Sequence, residues 1–451
     1  MSPELPLVVS LPSPSLFSFP PGSEPGFMTP PPPASIPSAP PFSIPEHIYQ
    51  AVLDPKVPIT IAAVYAVTAK LLNAYNTSTG KKPWALSKTR AFWWFVVAHN
   101  VFLAVYSAWT WWGMFGALRR SMVNPLGPEG FSGFVDSVCR LNGPGGLGNA
   151  AFFDEQSQSW QSHSSPTSLA PSRFDQGRLW NEGLAFYGWI FYLSKFYEVL
   201  DTFIILAKGK LSSTLQTYHH AGAMMCMWAG MRYMSSPIWM FVFVNSGIHA
   251  MMYTYYTVTA FNIRVPVFIK RTLTSLQITQ FLVGASYAMS HSFVSYTVPV
   301  TAGAKAASAA AAAAATAAPA AATIADNIKT FVSEAATRAM SAAEGAPSAA
   351  AALDQATTSY TTVPCITTSG ATFAVWLNVL YLAPLTYLFM SFFVESYLRR
   401  SNAESKKKGK SGKATKGRRL SNVNVDVTLA EKAGWEAAKN VEREVYGEGK
   451  Q

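Results

Sequence analysis

Charge is what this chain has least of. Only 13% of its 451 residues are Asp, Glu, Lys or Arg, about half the usual share for a soluble protein. Cysteine is nearly absent, at three residues, which excludes a disulfide-dense secreted scaffold. Histidine numbers seven. They are too few and too scattered for the histidine boxes of a di-iron membrane desaturase or hydroxylase. The last apolar stretch, residues 372–398, holds no lysine, which excludes a retinal-type receptor. Residues Met1 to Ser10 carry no basic residue and lead into proline-rich sequence, so no cleavable signal peptide is expected.

Apolar residues make up 49% of the chain and aromatics 13%. A membrane span needs roughly 20 mainly apolar residues. Seven stretches qualify: about 57–75, 91–117, 184–206, 213–233, 237–260, 272–296 and 372–398. The expected fold is therefore all-α, a polytopic membrane protein of seven transmembrane helices. Lys81, Lys82, Lys88 and Arg90 follow the first stretch, Lys208 and Lys210 the third, and Arg264, Lys270 and Arg271 the fifth. Arg399, Arg400 and the run Lys406 to Arg419 follow the seventh. Basic residues mark the cytosolic side, so the C-terminus is expected in the cytosol and the N-terminus in the lumen. Arg119 and Arg120 run against this pattern. The net charge of +11 largely reflects this asymmetry. The basic tail suits solvent and anionic lipid, and nucleic acid is not an expected partner.

The remaining sequence frames this domain. Residues 1–56 form an N-terminal segment, rich in Pro and Ser over its first 45 residues and expected as disordered or extended. The seven-span domain is 57–398. It is interrupted by a Gly- and Ser-rich lumenal loop at 119–178 and an alanine-dominated lumenal insert at 301–370. Residues 399–451 are a basic cytosolic tail. Cys139 and Cys365 both fall in lumenal loops. With no third lumenal cysteine to compete, they are expected to pair with each other or between chains. Cys226 lies inside the fourth stretch, with no base beside it.

Titratable groups at membrane depth are costly and mark function. The third stretch carries Lys195, Glu198, Asp201 and Thr202; the fourth, Gln216, His219 and His220; the fifth, Asn245, His249, Met252, Tyr253 and Tyr256; the sixth, Thr274, Gln277 and Gln280. Spacings of three and four keep each set on one helix face, and the topology puts the four sets at similar depth. Structural alternatives stand beside the chemical one. Lys195, Glu198 and Asp201 also suit an ion-pair network between helices. Thr274, Gln277 and Gln280 suit interhelical hydrogen bonding. His99 stands alone in the second stretch and reads as structural. Zinc held by His219, His220 and His249 is the weaker metal reading; no metal is expected. What fits best is imidazole itself as nucleophile or base, accepting an acyl group from a thioester.

In order and spacing, Lys195-x-x-Glu198-x-x-Asp201-Thr202, His219-His220, Asn245-x-x-x-His249-x-x-Met252-Tyr253-x-Tyr255-Tyr256 and Thr274-x-x-Gln277-x-x-Gln280 resemble the ELO family of very-long-chain fatty acid elongases. The resemblance covers most of 57–298 and 372–398. It implies that spans two to seven enclose an acyl tunnel in the endoplasmic-reticulum membrane. It implies condensation of acyl-CoA with malonyl-CoA to a 3-oxoacyl-CoA, with both CoA esters as substrates and no cofactor. By the same resemblance His219 takes the acyl group, His249 assists, and His220 and Asn245 orient the reacting groups. Glu198 and Asp201 set the histidine environment, and Lys195 faces CoA phosphates. The reductases and dehydratase of the elongation cycle are implied partners, and a homodimer is compatible with it. Gln216, where the family often has His, resembles elongases that take unsaturated or polyunsaturated chains. The chain ends Gly447-Glu-Gly-Lys-Gln451, without the family's usual dilysine signal. A seven-span lipid-binding or transport protein without turnover is the alternative.

Overall fold

The computed structural model describes residues 7–164, 170–300 and 359–393. Most of the alanine-rich insert and the whole 399–451 tail lie outside the described residues. The chain divides into two compact units. One comprises 1–26, 120–182 and 292–370; the other comprises 27–119, 183–291 and 371–451.

The second unit is helical. After α1 (Glu46–Val52) come α2 (Lys56–Ser78) and α3 (Arg90–Ser121), then α5 (Ala185–Tyr197), α6 (Val199–Ala207), α7 (Thr214–Arg232), α8 (Ile238–Ala260), α9 (Val267–Ser290) and α10 (Ser369–Phe393). Among the described residues, three helices are long and apolar enough to cross a membrane: Lys56–Ser78, Arg90–Ser121 and, within α10, Ser369–Ser391. On α2, Ile59, Val64, Val67 and Leu71 are exposed, an apolar face suited to lipid rather than water. Helix α2 packs on α7 and α6, α5 on α7 and α8, and α8 on α9. The polar helices α5 to α9 therefore pack on one another.

Two expected spans end differently. The stretch 184–206 is two helices, because Glu198 interrupts it between α5 and α6. There the Asp201 amide donates to the Glu198 carbonyl at 3.1 Å, a tightened turn. The stretch 272–296 stops being helical after Ser290, and strand β4 begins at Val294. The sequence Val294-Ser-Tyr-Thr-Val-Pro-Val300 alternates apolar and polar residues, which is strand patterning.

The α6–α7 connection is held by Asn76. Its Nδ2 donates to the Leu206 and Lys210 carbonyls, each at 2.8 Å, and Trp84 Nε1 donates to its Oδ1 at 2.9 Å. Gly209 turns this corner with φ +76, and a Cβ there would lie 2.5 Å from the Lys81 carbonyl oxygen. Only glycine fits both constraints.

The first unit corrects the all-α expectation. Strands β1 (Leu7–Val9), β4 (Val294–Val300) and β5 (Ser359–Pro364) form an antiparallel sheet in the order β1-β4-β5, with Leu7 opposite Tyr296 and Tyr296 opposite Val363. A hairpin pairs β2 (Phe152–Asp154) with β3 (Ser159–Gln161). Residues 1–56, expected as disordered or extended, instead place β1 in this sheet and α1 in the helical unit. At β1 the extended alternative is the one seen, with the edge of β4 supplying the backbone partners. Helix α4 (Gly130–Cys139) packs on β4. Val135, Cys139, Tyr296, Val298, Val363 and Cys365 form the core.

Cys139 and Cys365 form a disulfide across 226 residues of sequence, with their Cα atoms 5.0 Å apart. In the chain-entropy model, closing so long a loop stabilises by about 5 kcal/mol. Beside it, Arg178 Nη2 and Asp136 Oδ2 pair at 2.5 Å with both side chains buried. The Tyr296 hydroxyl donates to Asp136 Oδ1 at 2.7 Å. Arg140 donates to the Cys365 and Pro364 carbonyls at 2.8 and 2.6 Å.

His163 stacks on Phe152 with ring centroids 4.7 Å apart. Burial pushes its imidazole down from 6.5 to about 4; the nearby Arg140 charge adds to this, and Asp136 opposes it. The folded imidazole thus stays neutral while the unfolded one takes a proton near pH 6.5. The stabilisation is complete above pH 6.5 and is lost as the pH falls to 4. The expected result is a thermal midpoint that declines through this window in the wild type and declines less in His163→Gln. Equal declines would contradict it.

Candidate active site

The centre of the helical unit is a buried charge pair. Lys195, at the end of α5, is 3% exposed, and Glu198, at the break before α6, is 1% exposed. Lys195 Nζ donates to Glu198 Oε1 at 2.7 Å and to Asn245 Oδ1 on α8 at 3.2 Å. It also lies 4.2 Å from the Phe191 ring centroid. The ammonium is thus held inside the helix bundle. Ser194 Oγ donates to the same Glu198 oxygen at 2.9 Å, and His249 Nδ1 sits 3.5 Å from it. At that distance the His249 contact is electrostatic rather than a full hydrogen bond. Asn245 Nδ2 donates to Gln280 Oε1 on α9 at 3.2 Å. Four helix segments are joined through one carboxylate and one amide.

A second set forms around Asp201 on α6. Its Oδ2 accepts from the Tyr253 hydroxyl at 2.5 Å, and its Oδ1 lies 2.8 Å from His99 Nε2 on α3. His99, read as isolated, is therefore a partner of Asp201 and stacks on Tyr197 with centroids 5.3 Å apart. One residue on, Thr202 Oγ1 meets the Tyr65 hydroxyl of α2 at 2.8 Å. Tyr65 also turns its ring edge-on to His220, 6.1 Å between centroids.

The third set is on α7. The His219 and His220 rings are 5.5 Å apart, and His219 lies 6.2 Å from Phe281 of α9. His219 Nδ1 is 2.9 Å from the Tyr381 hydroxyl of α10, and that hydroxyl donates to the His219 carbonyl at 3.0 Å.

The other sequence candidates are placed as follows. Gln277 Nε2 meets Met252 Sδ at 3.3 Å, joining α9 to α8. Tyr256 packs edge-on against Tyr253, 5.9 Å between centroids. Gln216 is half-buried in the first turn of α7, where its backbone amide donates to the capping Ser213 hydroxyl at 3.1 Å. Thr274 bonds the Lys270 carbonyl of its own helix at 3.1 Å. Cys226 is buried deeper in α7, its Sγ 3.9 Å from the Leu377 carbonyl.

Tyr381, His99, Ser194 and Tyr65 are site neighbours that the motifs did not mark. Chemically, the arrangement offers two neutral-capable imidazoles with fixed surroundings, a carboxylate held by a cation, and an amide bridging to α9. Nucleophilic and proton-transfer chemistry both suit such groups.

A family model described as ELO, the GNS1/SUR4 family, matches residues 50–405. The human very long chain fatty acid elongase 3 is 37% identical over 105 residues, 23% of this chain and 39% of that protein. The very long chain fatty acid elongase 6 of Drosophila melanogaster is 34% identical over 117 residues, 26% of this chain and 35% of that protein. Fatty acid elongase 2 of Trypanosoma brucei brucei (strain 927/4 GUTat10.1) is 31% identical over 140 residues, 30% of this chain and 51% of that protein. The matched stretches thus span from about a third to about half of these relatives. No solved structure matches the chain.

Proposed function

The chain belongs to the ELO family, and on that premise we propose that it is a 3-oxoacyl-CoA synthase that elongates long-chain acyl groups. The observation that carries the reading is His219 on α7, an imidazole beside the His220 ring at 5.5 Å whose Nδ1 lies 2.9 Å from the Tyr381 hydroxyl. A nitrogen of His219 bonds to the thioester carbonyl carbon as the C–S bond breaks, and CoA leaves as a thiolate that takes a proton from water. Malonyl-CoA then loses CO2, and the resulting enolate carbon attacks the acyl carbon. The new C–C bond forms as the C–N bond breaks, freeing His219 and a 3-oxoacyl-CoA two carbons longer. His249, oriented by Glu198 Oε1 at 3.5 Å, meets the malonyl group in this reading. The Glu198–Lys195–Asn245–Gln280 chain holds α5, α8 and α9 in register around the reacting atoms.

The seven-span topology, an acyl tunnel, a cytosolic C-terminus and residence in the endoplasmic-reticulum membrane belong to the same proposal. The CoA esters and the other elongation-cycle enzymes are its partners. Gln216 supports unsaturated or polyunsaturated acyl chains as substrates. The test uses membranes containing the full chain, labelled malonyl-CoA and acyl-CoAs graded in length and unsaturation. Label is expected in a product two carbons longer, with more of it from unsaturated chains. Saturable acyl-CoA binding without incorporation would instead favour a lipid-binding or transport protein.

A further inference from the structure

Two atoms of His219 meet the same hydroxyl. The Tyr381 oxygen lies 2.9 Å from His219 Nδ1 and 3.0 Å from the His219 carbonyl oxygen. A hydroxyl has one proton to give, and a carbonyl can only accept. When the Tyr381 proton goes to the carbonyl, the ring nitrogen must be the donor. Nδ1 then carries the imidazole hydrogen, and Nε2 keeps its lone pair. We infer that Tyr381 is a positioning residue that locks His219 in the Nδ1–H tautomer and so presents Nε2 to the acyl thioester. This rests on the reading of His219 as acyl acceptor.

The local packing serves this reach. Gly222 follows His219 by three residues, hence on the same face of α7. A Cβ at Gly222 would lie 2.2 Å from Tyr381 Cε2, so the ring crosses α7 only because that position is glycine. Tyr218 stacks on the Tyr381 ring at 5.5 Å and donates its hydroxyl to the Tyr381 carbonyl at 3.2 Å. The ring is thereby fixed from both sides, on a helix that is mostly apolar.

The tautomer also balances the charge. When Nε2 bonds to the acyl carbon and the CoA thiolate leaves, the ring becomes an acylimidazolium that keeps its Nδ1 hydrogen. The Tyr381 oxygen continues to accept that hydrogen bond. When the malonyl-derived enolate takes the acyl group, the C–N bond breaks and the same neutral tautomer returns. No proton has to leave or re-enter the ring.

The test compares Tyr381→Phe, Gly222→Ala and His219→Ala as full-length protein in detergent or vesicles. Tyr381→Phe keeps the ring and its stacking but removes the hydroxyl; Gly222→Ala keeps the hydroxyl but displaces it. Both are expected to lower kcat by roughly 10- to 100-fold, the scale seen when the partner that orients a metal-bound histidine is removed. The KM for acyl-CoA should stay at the wild-type value, and the rate of CoA release in the absence of malonyl-CoA should fall in parallel with kcat. A merely structural role would instead lower the thermal midpoint of Tyr381→Phe or raise its KM. Wild-type kcat in a folded Tyr381→Phe or in Gly222→Ala overturns the tautomer assignment. If His219→Ala is inactive at the same time, the acyl-acceptor reading stands without it. If His219→Ala remains active, that reading itself has failed.

Discussion

His219→Ala is expected to abolish condensation, lowering turnover by at least about 10³-fold, as removing a nucleophile does elsewhere. The protein should remain folded and membrane-inserted. Alanine is the best helix former, the position is interior to α7 (Thr214–Arg232), and the substitution removes the side-chain hydrogen bond to Tyr381 while leaving the backbone one in place. The control is the thermal midpoint of the solubilised protein, which should change little. His220→Ala should cost less. It sits beside Tyr65 on another face of the helix, and in the proposed reading it orients rather than reacts. Comparable turnover in His219→Ala and wild type, with both folded, would remove the acyl-imidazole step from the account.

A large stability effect is expected at the charge pair. Lys195→Met leaves Glu198, 1% exposed, as a buried carboxylate whose cation is gone. Breaking one partner of such a pair costs about 3–5 kcal/mol, whereas replacing both by neutral groups is often close to neutral. Lys195→Met should therefore destabilise strongly in thermal or denaturant unfolding. Combining Lys195→Met with Glu198→Gln should regain most of that stability, because the introduced amide keeps an acceptor oxygen for Ser194 and carries no charge. Activity should not return with it, since the carboxylate 3.5 Å from His249 Nδ1 is then gone. A cost for Lys195→Met in the range of an exposed pair, below about 1 kcal/mol, would show that water or lipid headgroups reach the site.

Much of the candidate site was legible because charged residues at helical spacing in apolar surroundings have few structural excuses. Lys195 and Glu198 do pair, Asn245 does reach Gln280, and Gln277 does meet Met252. What escaped notice was contact across long sequence separations by residue types that look ordinary. Tyr381 lies 162 residues from His219, on an apolar helix where a tyrosine reads as lining. His99 lies 102 residues from Asp201, and no spacing rule links α3 to α6.

The fold was legible where the apolar period was helical and long, as in α2 and α3. It was misread at Val294–Val300, where a hydropathy window ran on from α9 and hid the two-residue alternation of β4. The break at Glu198 carries no Gly or Pro to mark it. The strand Leu7–Val9 finds its partner only when β4 is present, 285 residues later by the Ser10–Ser295 contact.

The most direct measurement is peptide-resolved mass spectrometry of the protein incubated with a long-chain acyl-CoA in the absence of malonyl-CoA. The expected result is one acyl group on the peptide containing His219, released on adding malonyl-CoA as a 3-oxoacyl-CoA two carbons longer. Full turnover with no acyl mass on that peptide, or with the acyl group on Cys226 or another residue, would contradict His219 as the acyl carrier.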